Sequence, residues 1–567
     1  MFLIYNLSTP EDLNFTLNTI RAFKFIAMKL IEFLSQIEGF QKKIWEKKKF
    51  ILSTDYCITL DNINEKYFPE IIKNKKQLLE WKELFKFDIQ KELKKTQGKI
   101  DNTSGSEEEK LINILKSNFT LVIDTKFYDI DFKYKILSEI NDLDKNITGI
   151  LFNSENFHAL NLLLKKYSEK VKCCYIDPPY NTGNDDFLYK DHYQTSSWLS
   201  FIQDRLILAK ELMSADSLLI THIDEHEYEN MQKLIDIIFG KEENIGPIFW
   251  NKGNPKGDAK TISVQHEFIC IALKSFRYFN ANGMNLVKKK PNAEKIINKA
   301  NNLRRNFKES EKLNKELQKW IKNQSNFSGG EKAYNLIDKN GRVYQKVSMA
   351  WPNKKKAPDK FFKPLIHPNT KKPCPIPGRG WRYTPESMQE LLKNDLIAFG
   401  IDESTQPRRK YYLDENMFEN VPSYVYFAGS DDVFFSNINL KFDNYPKPLY
   451  ISEYLLQIPP NNDNGIFLDF FAGSGTTGHA ILNMNKNLSG NRKFVLVEMG
   501  KYFESVLKER LVKVIYSNNW KDGKPLDNDG YSKQIIKYHK LEQYEDSLNN
   551  IDFIKPNALA LETKDYI

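Results

Sequence analysis

Two short stretches carry residues whose types and spacing could do chemistry. In CCYIDPPYNTG (173–183) a mostly apolar run, Val171 to Ile176, ends in one carboxylate, Asp177, followed by Pro178, Pro179 and Tyr180. Each proline fixes its own φ and restricts the residue before it. The turn therefore aims the Asp177 carboxylate, backbone carbonyls and the Tyr180 ring at one point. That set suits a planar heterocycle with an exocyclic amine: a carboxylate and a carbonyl accept its two N–H bonds, and the ring stacks on the tyrosine. The plainer reading is a proline-stiffened turn with an N-capping aspartate.

In LDFFAGSGTTG (468–478), Gly473, Gly475 and Gly478 spell G-x-G-x-x-G between an expected strand and an expected helix. Glycines there let the backbone approach a nucleotide closely. Asp469 ends the strand, and Glu498 ends the next strand 29 residues on, where a carboxylate can accept bonds from ribose hydroxyls. Taken alone, this loop fits a dinucleotide and S-adenosylmethionine equally.

Both stretches need a sheet to hold them. From about 147 the chain alternates strand and helix: TGILF, NFHALNLLLKKY, KVKCCYID, a helix SSWLSFIQDRLILAKELM opened by serine caps, SLLITHID, EYENMQKLIDIIFG and HEFICIALKS. The rhythm stops near 280 and returns after 440 with KPLYISEYLLQI, GIFLDFFAG, TTGHAILNMN, KFVLVEM and YFESVLKERLVKVIY. Such alternation predicts a doubly wound α/β sheet, whose ligands sit beyond the carboxyl ends of strands. The expected organisation is a helical region over 1–140, with a polar loop at 99–110. Next come a first α/β half over 141–280, an insert over 281–440, a second half over 441–517 and a polar extension over 518–567.

Charge separates the insert from the rest. Between Leu286 and Gly380 there are 24 Lys+Arg against 7 Asp+Glu, so with a net charge of +9 overall the remainder is mildly acidic. A polyanion such as nucleic acid is the natural partner of the basic segment; a solvated lysine-rich surface is the bland alternative. The five cysteines form no C-x-x-C and fit a reducing cytoplasm. No apolar run is long enough for a membrane span, and the start of the chain lacks the basic lead of a secretory signal.

DPPYNTG together with LDFFAGSGTTGHAIL resembles the amino-methyltransferases of DNA. The order of catalytic loop, basic insert and cofactor loop resembles their permuted β class. NSENFHALNLLLKKY, THIDEHEYENMQKLID, YPKPLYISEYLLQI, RGWRYTPESMQELLKNDLIAFG and FQKKIWEKKKFILSTDYCITLD extend the resemblance to the modification subunits of type III restriction systems, over about 40–515. The resemblance implies a Rossmann-like S-adenosylmethionine-dependent sheet with a target-recognition insert. It implies that Asp177, Pro178, Pro179 and Tyr180 hold a flipped adenine for N6 methylation. It also implies a cofactor set of Asp469, Phe471, Ala472, Gly473, Ser474, Gly475, Thr476, Thr477 and Glu498, with Lys447 and Pro448 near the methionine end. Arg379, Arg382, Arg408 and Arg409 are the candidates for DNA contact. Double-stranded DNA, a homodimeric partner and a helicase-nuclease restriction subunit are the implied partners. Where the family often has Gly-Asp-Asn, this chain has Ser154-Glu155-Asn156.

Rival chemistries fit less of the chain. A nicotinamide oxidoreductase would use the glycines but leave the Asp-Pro-Pro-Tyr turn and the basic insert unexplained. Cytosine C5 methylation needs a nucleophilic cysteine; Pro373-Cys374 lies in the insert between prolines and reads as a loop cysteine. Cytosine N4 methylation shares the fold and is the nearest alternative, with a solitary adenine methyltransferase beside it. A non-enzymatic DNA-binding module would not need the glycine loop. His222 and His226 stand four apart, but with no third ligand they read as surface or capping residues, so no metal is expected. No phosphate-binding G-x-x-x-x-G-K-[ST] occurs, so the chain itself is not expected to hydrolyse ATP.

Overall fold

The structure, a computed structural model, describes residues 10–97, 106–183, 193–253, 262–307, 309–325, 327–443, 445–488 and 490–549. The apolar start of the chain, most of the polar loop expected at 99–110 and the end of the expected C-terminal extension lie outside the described residues. Two compact units result: Met1–Met284 with Ser423–Ile567, and Asn285–Pro422.

The first unit is built on one eleven-stranded sheet. Its strands are β1 (Ile51–Thr59), β2 (Val122–Asp124), β3 (Gly149–Asn153), β4 (Val171–Ile176), β5 (Met213–Ile223), β6 (Asn244–Asn251) and β7 (His266–Leu273), then β8 (Tyr424–Tyr426), β9 (Ile466–Asp469), β10 (Lys493–Glu498) and β11 (Ile535–Leu541). Their order is β8-β6-β7-β5-β4-β9-β10-β3-β11-β1-β2. β5, β4, β9, β10, β3 and β11 run parallel, each to the next, whereas β7 is antiparallel to both β5 and β6, and β1 is antiparallel to both β11 and β2. The parallel centre reads as near-continuous apolar runs because helices cover both of its faces.

Its helices include α1 (Pro10–Glu46), α2 (Asn156–Tyr167), α3 (Thr195–Leu212), α4 (Tyr228–Ile238), α5 (Leu449–Leu456), α6 (Thr476–Leu488) and α7 (Glu509–Tyr516). α2, α3 and α4 bring Leu160, Trp198, Leu206 and Ile235 onto Ile176, Leu219 and Leu468 of the sheet. The serines expected to cap α3 lie inside its first turn. The cap position is Gln194, whose side chain makes no capping bond.

Four other expectations need correction. The region 1–140 is largely helical but supplies β1 and β2, and the expected extension after 517 supplies β11, inserted between β3 and β1. β1 is half-exposed and β2 is short, and β1 and β11 pair across hundreds of residues, as in the Tyr56–Lys537 pairing. Local periodicity cannot report such a pairing. The second unit is narrower than 281–440, because Tyr424–Val425–Tyr426 pairs in parallel register with Phe249–Trp250–Asn251 and so belongs to the large sheet. Ser106 was expected in a loop, but it opens the helix Glu107–Ser117 through a reciprocal bond pair with Glu109.

The second unit holds a four-stranded antiparallel sheet, Ile397–Ala398, Arg408–Tyr412, Val343–Val347 and Leu336–Ile337 in spatial order. Helices Ala293–Asn306 and Ser310–Lys322 pack on it through Ile296, Leu303, Leu317 and Ile321.

Candidate active site

β4 and β9 are hydrogen-bonded neighbours in parallel register, with Cys173 beside Phe467 and Cys174 beside Leu468. Asp177 and Asp469, 292 residues apart in the chain, therefore leave the same edge of the sheet side by side. Both line one cavity of about 870 Å³ that also takes in Pro178, Pro179, Tyr180, Lys447, Phe471 to Ser474, Thr476, Thr477 and Glu498.

At the earlier tip, the Pro179 carbonyl accepts the indole N–H of Trp198 at 2.9 Å. Asn181 takes a left-handed φ of 60°. Its side-chain amide donates to the Tyr193 carbonyl (3.1 Å) and to Glu227 (2.7 Å), and its Oδ1 accepts the Tyr193 N–H at 2.7 Å. Asp177 is half-buried. Burial raises its pKa above the ordinary carboxylate value, against the pull of the Lys447 ammonium 3.4 Å away.

Lys447 is the hub of this tip. It donates to the Tyr180 hydroxyl at 2.6 Å and to Glu267 Oε2 at 2.8 Å, and lies 4.8 Å from the Tyr180 ring centre. The Tyr180 hydroxyl in turn donates to Glu267 Oε2 at 3.1 Å. Glu267 also pairs with Lys252. Burial opposes its ionisation, but Lys447 and Lys252 hold its pKa at about 2. Behind these groups the Tyr175 hydroxyl joins His222 Nε2 (2.9 Å) and Ser452 Oγ (2.9 Å). His222 is fully buried, not at the surface as expected, and burial first, then Lys447, pushes its pKa down to about 3. Its Nε2 is engaged with Tyr175, whereas His226 is exposed and bonded to Asp224, so the pair does not share a metal geometry.

At the later tip the groups are self-satisfied. The Phe471 N–H donates to Asp469 Oδ1 at 3.0 Å and the Thr477 hydroxyl to Oδ2 at 2.5 Å. Asp469 is buried, and its pKa is pushed up to about 7 by that burial. Gly473 and Gly475 have φ of 52° and 80°, a region few side chains tolerate. Gly478 lets α6 approach β10, since a Cβ there would lie 2.9 Å from Leu511 and 3.1 Å from Leu496. The Glu498 carboxylate accepts the Gly473 N–H at 2.8 Å and the Gly500 N–H at 2.7 Å. Burial again pushes its pKa to about 7. Ala472 closes the turn, its carbonyl accepting the Gly475 N–H at 2.8 Å.

Arg510, fully buried on α7, pins this loop from behind. It donates to Ser474 Oγ (3.0 Å), Thr476 Oγ1 (2.7 Å) and Asp431 Oδ2 (3.3 Å). Asp431 also accepts the Leu449 N–H, next to the Pro448 cap of α5, so one ion pair ties the Lys447–Pro448 segment to the glycine loop. Sequence reading missed Glu267, Tyr175, Ser452, Asp431 and Arg510. Charged residues inside apolar stretches, Glu267 in HEFICIALK and Arg510 in KERLVKVIY, were the available signal. Lys447, expected near the methionine end of the cofactor, lies against Asp177 and Tyr180 and lines the same cavity as the glycine loop. In the Ser154-Glu155-Asn156 departure, Glu155 caps α2 and pairs with Arg205 at 2.5 Å, while Asn156 donates to the Phe470 carbonyl at 3.0 Å.

In the second unit, Arg379, Arg382 and Arg408 are exposed. Arg409 is half-buried, donating to the Tyr383 hydroxyl at 2.7 Å and lying over the Tyr411 ring at 4.8 Å. Cys374 is buried and unpaired, and burial raises its pKa, the opposite of an activated thiolate.

The chain also matches known proteins. The family model N6_N4_Mtase, described as DNA methylase, matches residues 171–509, which contain both strand tips. The EcoP15I Mod subunit of the Escherichia coli type III restriction-modification enzyme is 30% identical over 396 residues, 63% of this chain and 59% of that protein. The StyLTI Mod subunit of Salmonella typhimurium is 26% identical over 407 residues, 65% of this chain and 54% of that protein. The type II methyltransferase M.KpnI of Klebsiella pneumoniae is 24% identical over 400 residues, 65% of this chain and 84% of that protein. The chain thus spans somewhat over half the length of these two type III relatives. With the family model covering more than half of the chain and both of its functional loops, this protein belongs to the N6_N4_Mtase family of DNA methylases.

Proposed function

We propose that this chain is a cytoplasmic, S-adenosylmethionine-dependent DNA methyltransferase acting on the N6 amine of an extruded adenine. We place it as the modification subunit of a type III restriction-modification system, working as a homodimer with a helicase-nuclease partner. The observation that carries the reading is the parallel pairing of β4 with β9, which puts an Asp-Pro-Pro-Tyr turn and a glycine loop at one cavity.

The residues present fit the cofactor. A Cβ on Gly473 would meet no neighbour closer than 4.0 Å, so the loop presents bare backbone to open space beside the Glu498 carboxylate. Glu498 is the candidate acceptor for ribose hydroxyls, with Asp469, Phe471, Ala472, Ser474, Gly475, Thr476 and Thr477 shaping the cradle. When bound, S-adenosylmethionine supplies an electrophilic methyl group. The chain's own residues place the amine. Adenine leaves the duplex at a cost of a few kcal/mol and stacks on Tyr180, which returns about 1–3 kcal/mol. Asp177 and the Pro178 carbonyl accept the two N–H bonds, and Asp177 takes the proton the amine sheds on methylation. Burial makes Asp177 more basic than a free carboxylate, and the Lys447 ammonium pulls the other way. Orientation and fixed charge supply the barrier reduction without a covalent intermediate.

In the second unit, Arg379, Arg382 and Arg408 would meet phosphates or base edges, while Arg409 braces Tyr383. The test is transfer of labelled methyl to duplex DNA followed by nucleoside analysis. N6-methyladenine made by the native chain and absent with Asp177→Ala supports the reading. N4-methylcytosine, or unchanged transfer by the variant, overturns it.

A further inference from the structure

α1 runs 37 residues, and most of its apolar side chains face solvent. Phe23, Ile26, Leu30, Phe33, Ile37, Phe40 and Ile44 recur at alternating spacings of three and four, the a/d seam of a coiled coil. Only the last is covered: Ile44 is 8% exposed, whereas Phe23 is 76%, Ile26 58%, Leu30 56%, Phe33 58% and Phe40 48% exposed. The helix is held at its C-terminal end, where Lys49 donates to the Ile44 carbonyl and Trp45 packs on His158. Among the described residues no helix is long and apolar enough to cross a membrane, so α1 is not a span.

We propose that the exposed seam of α1 docks antiparallel onto the same seam of a second copy of this chain. This deepens the homodimer part of the proposed function and rests on it. The strip is self-complementary when reversed about its midpoint: Phe23 meets Phe40, Ile26 meets Ile37 and Leu30 meets Phe33 of the second copy. That is the symmetry a two-fold interface requires. In this register Lys29 falls opposite Gln36 and Lys43 opposite Ala22, so no like charges meet along the flanks. A parallel pairing would instead bring both folded bodies to the same end of the pair, where Ile44 is already seated in its own. From their exposure and the size of such side chains, the six residues present on the order of 600 Å² per copy. Two copies would then bury about 1,200 Å², enough for a specific interface.

Sedimentation velocity on the full chain at micromolar concentration tests this. The native chain should sediment at twice its 66.5 kDa mass. Phe33→Glu should sediment as a monomer with an unchanged circular dichroism spectrum, because the side chain is solvent-facing and its loss disturbs no core. Lys42→Glu, on the outer face of the helix, should remain a dimer. Spin labels at position 42 should lie about 30 Å or more apart, from the helical rise of an antiparallel pair. A Phe33→Glu dimer overturns this interface while leaving the homodimer reading in place. A native monomer overturns both. Labels close together overturn the antiparallel register.

Discussion

The tips of β4 and β9 lie side by side and each ends in an aspartate, yet the two carboxylates live differently. Asp469 is buried, and both of its oxygens are taken by its own turn, by the Phe471 N–H and the Thr477 hydroxyl. Asp177 is half-buried at the cavity, with Lys447 at 3.4 Å as its ionic neighbour. The first carboxylate builds a loop and the second is available to a ligand. A strand-terminal aspartate thus has no fixed role. What decides is whether the local backbone and hydroxyls exhaust its acceptors.

The sharpest break in this comparison is Asp177→Ala. Methyl transfer should fall about 10³-fold, in the range for loss of a positioned proton acceptor, while melting temperature and cofactor binding by calorimetry barely change. Asp469→Ala should do the reverse. It strands a buried N–H and a buried hydroxyl and should cost about 2–4 kcal/mol of stability in denaturant titration, with cofactor affinity falling as the loop loosens. Should Asp469→Ala instead spare stability and abolish turnover, the contrast between the tips is wrong.

Glu498 sharpens the comparison through pH. Burial raises its pKa to about 7 in the free protein, and ribose hydroxyls need the ionised carboxylate as acceptor. Cofactor affinity should therefore weaken as pH falls through 7, by up to about tenfold per unit, and Glu498→Gln should flatten that dependence. For stability the sign is opposite. A carboxyl whose folded pKa exceeds its unfolded value of about 4.3 holds its proton more tightly when folded, so its contribution declines as pH rises from there toward 7. A native cofactor affinity flat between pH 6 and 8 would remove Glu498 from the ribose site. The smallest effect is expected from Glu267→Gln. It keeps the shape around Lys447 and Tyr180 but removes a negative charge beside Asp177, so the rising limb of the pH–rate profile should shift to lower pH. A profile unchanged by that substitution would uncouple the Lys447 hub from Asp177.

The sequence by itself determined a good deal. Local order was legible where periodicity was strong, as in α2 and in β4 with its proline-stiffened exit, and where glycine spacing dictated a turn. The basic bias of the insert was legible because net charge needs no fold. The family resemblance was legible because both loops are contiguous motifs. What only the tertiary structure decided depends on contacts between distant residues: the adjacency of β4 and β9, the recruitment of β1, β2 and β11 from a region expected to be helical and from an expected polar extension, and the placement of Lys447 against Asp177 and Glu267. It also depends on desolvation, which raises Asp469 and Glu498 and keeps His222 neutral. Hydrogen-bond satisfaction and burial are properties of what surrounds a group, and for these residues the surroundings come from segments dozens to hundreds of positions away, or from a turn whose closure the residue type alone does not fix.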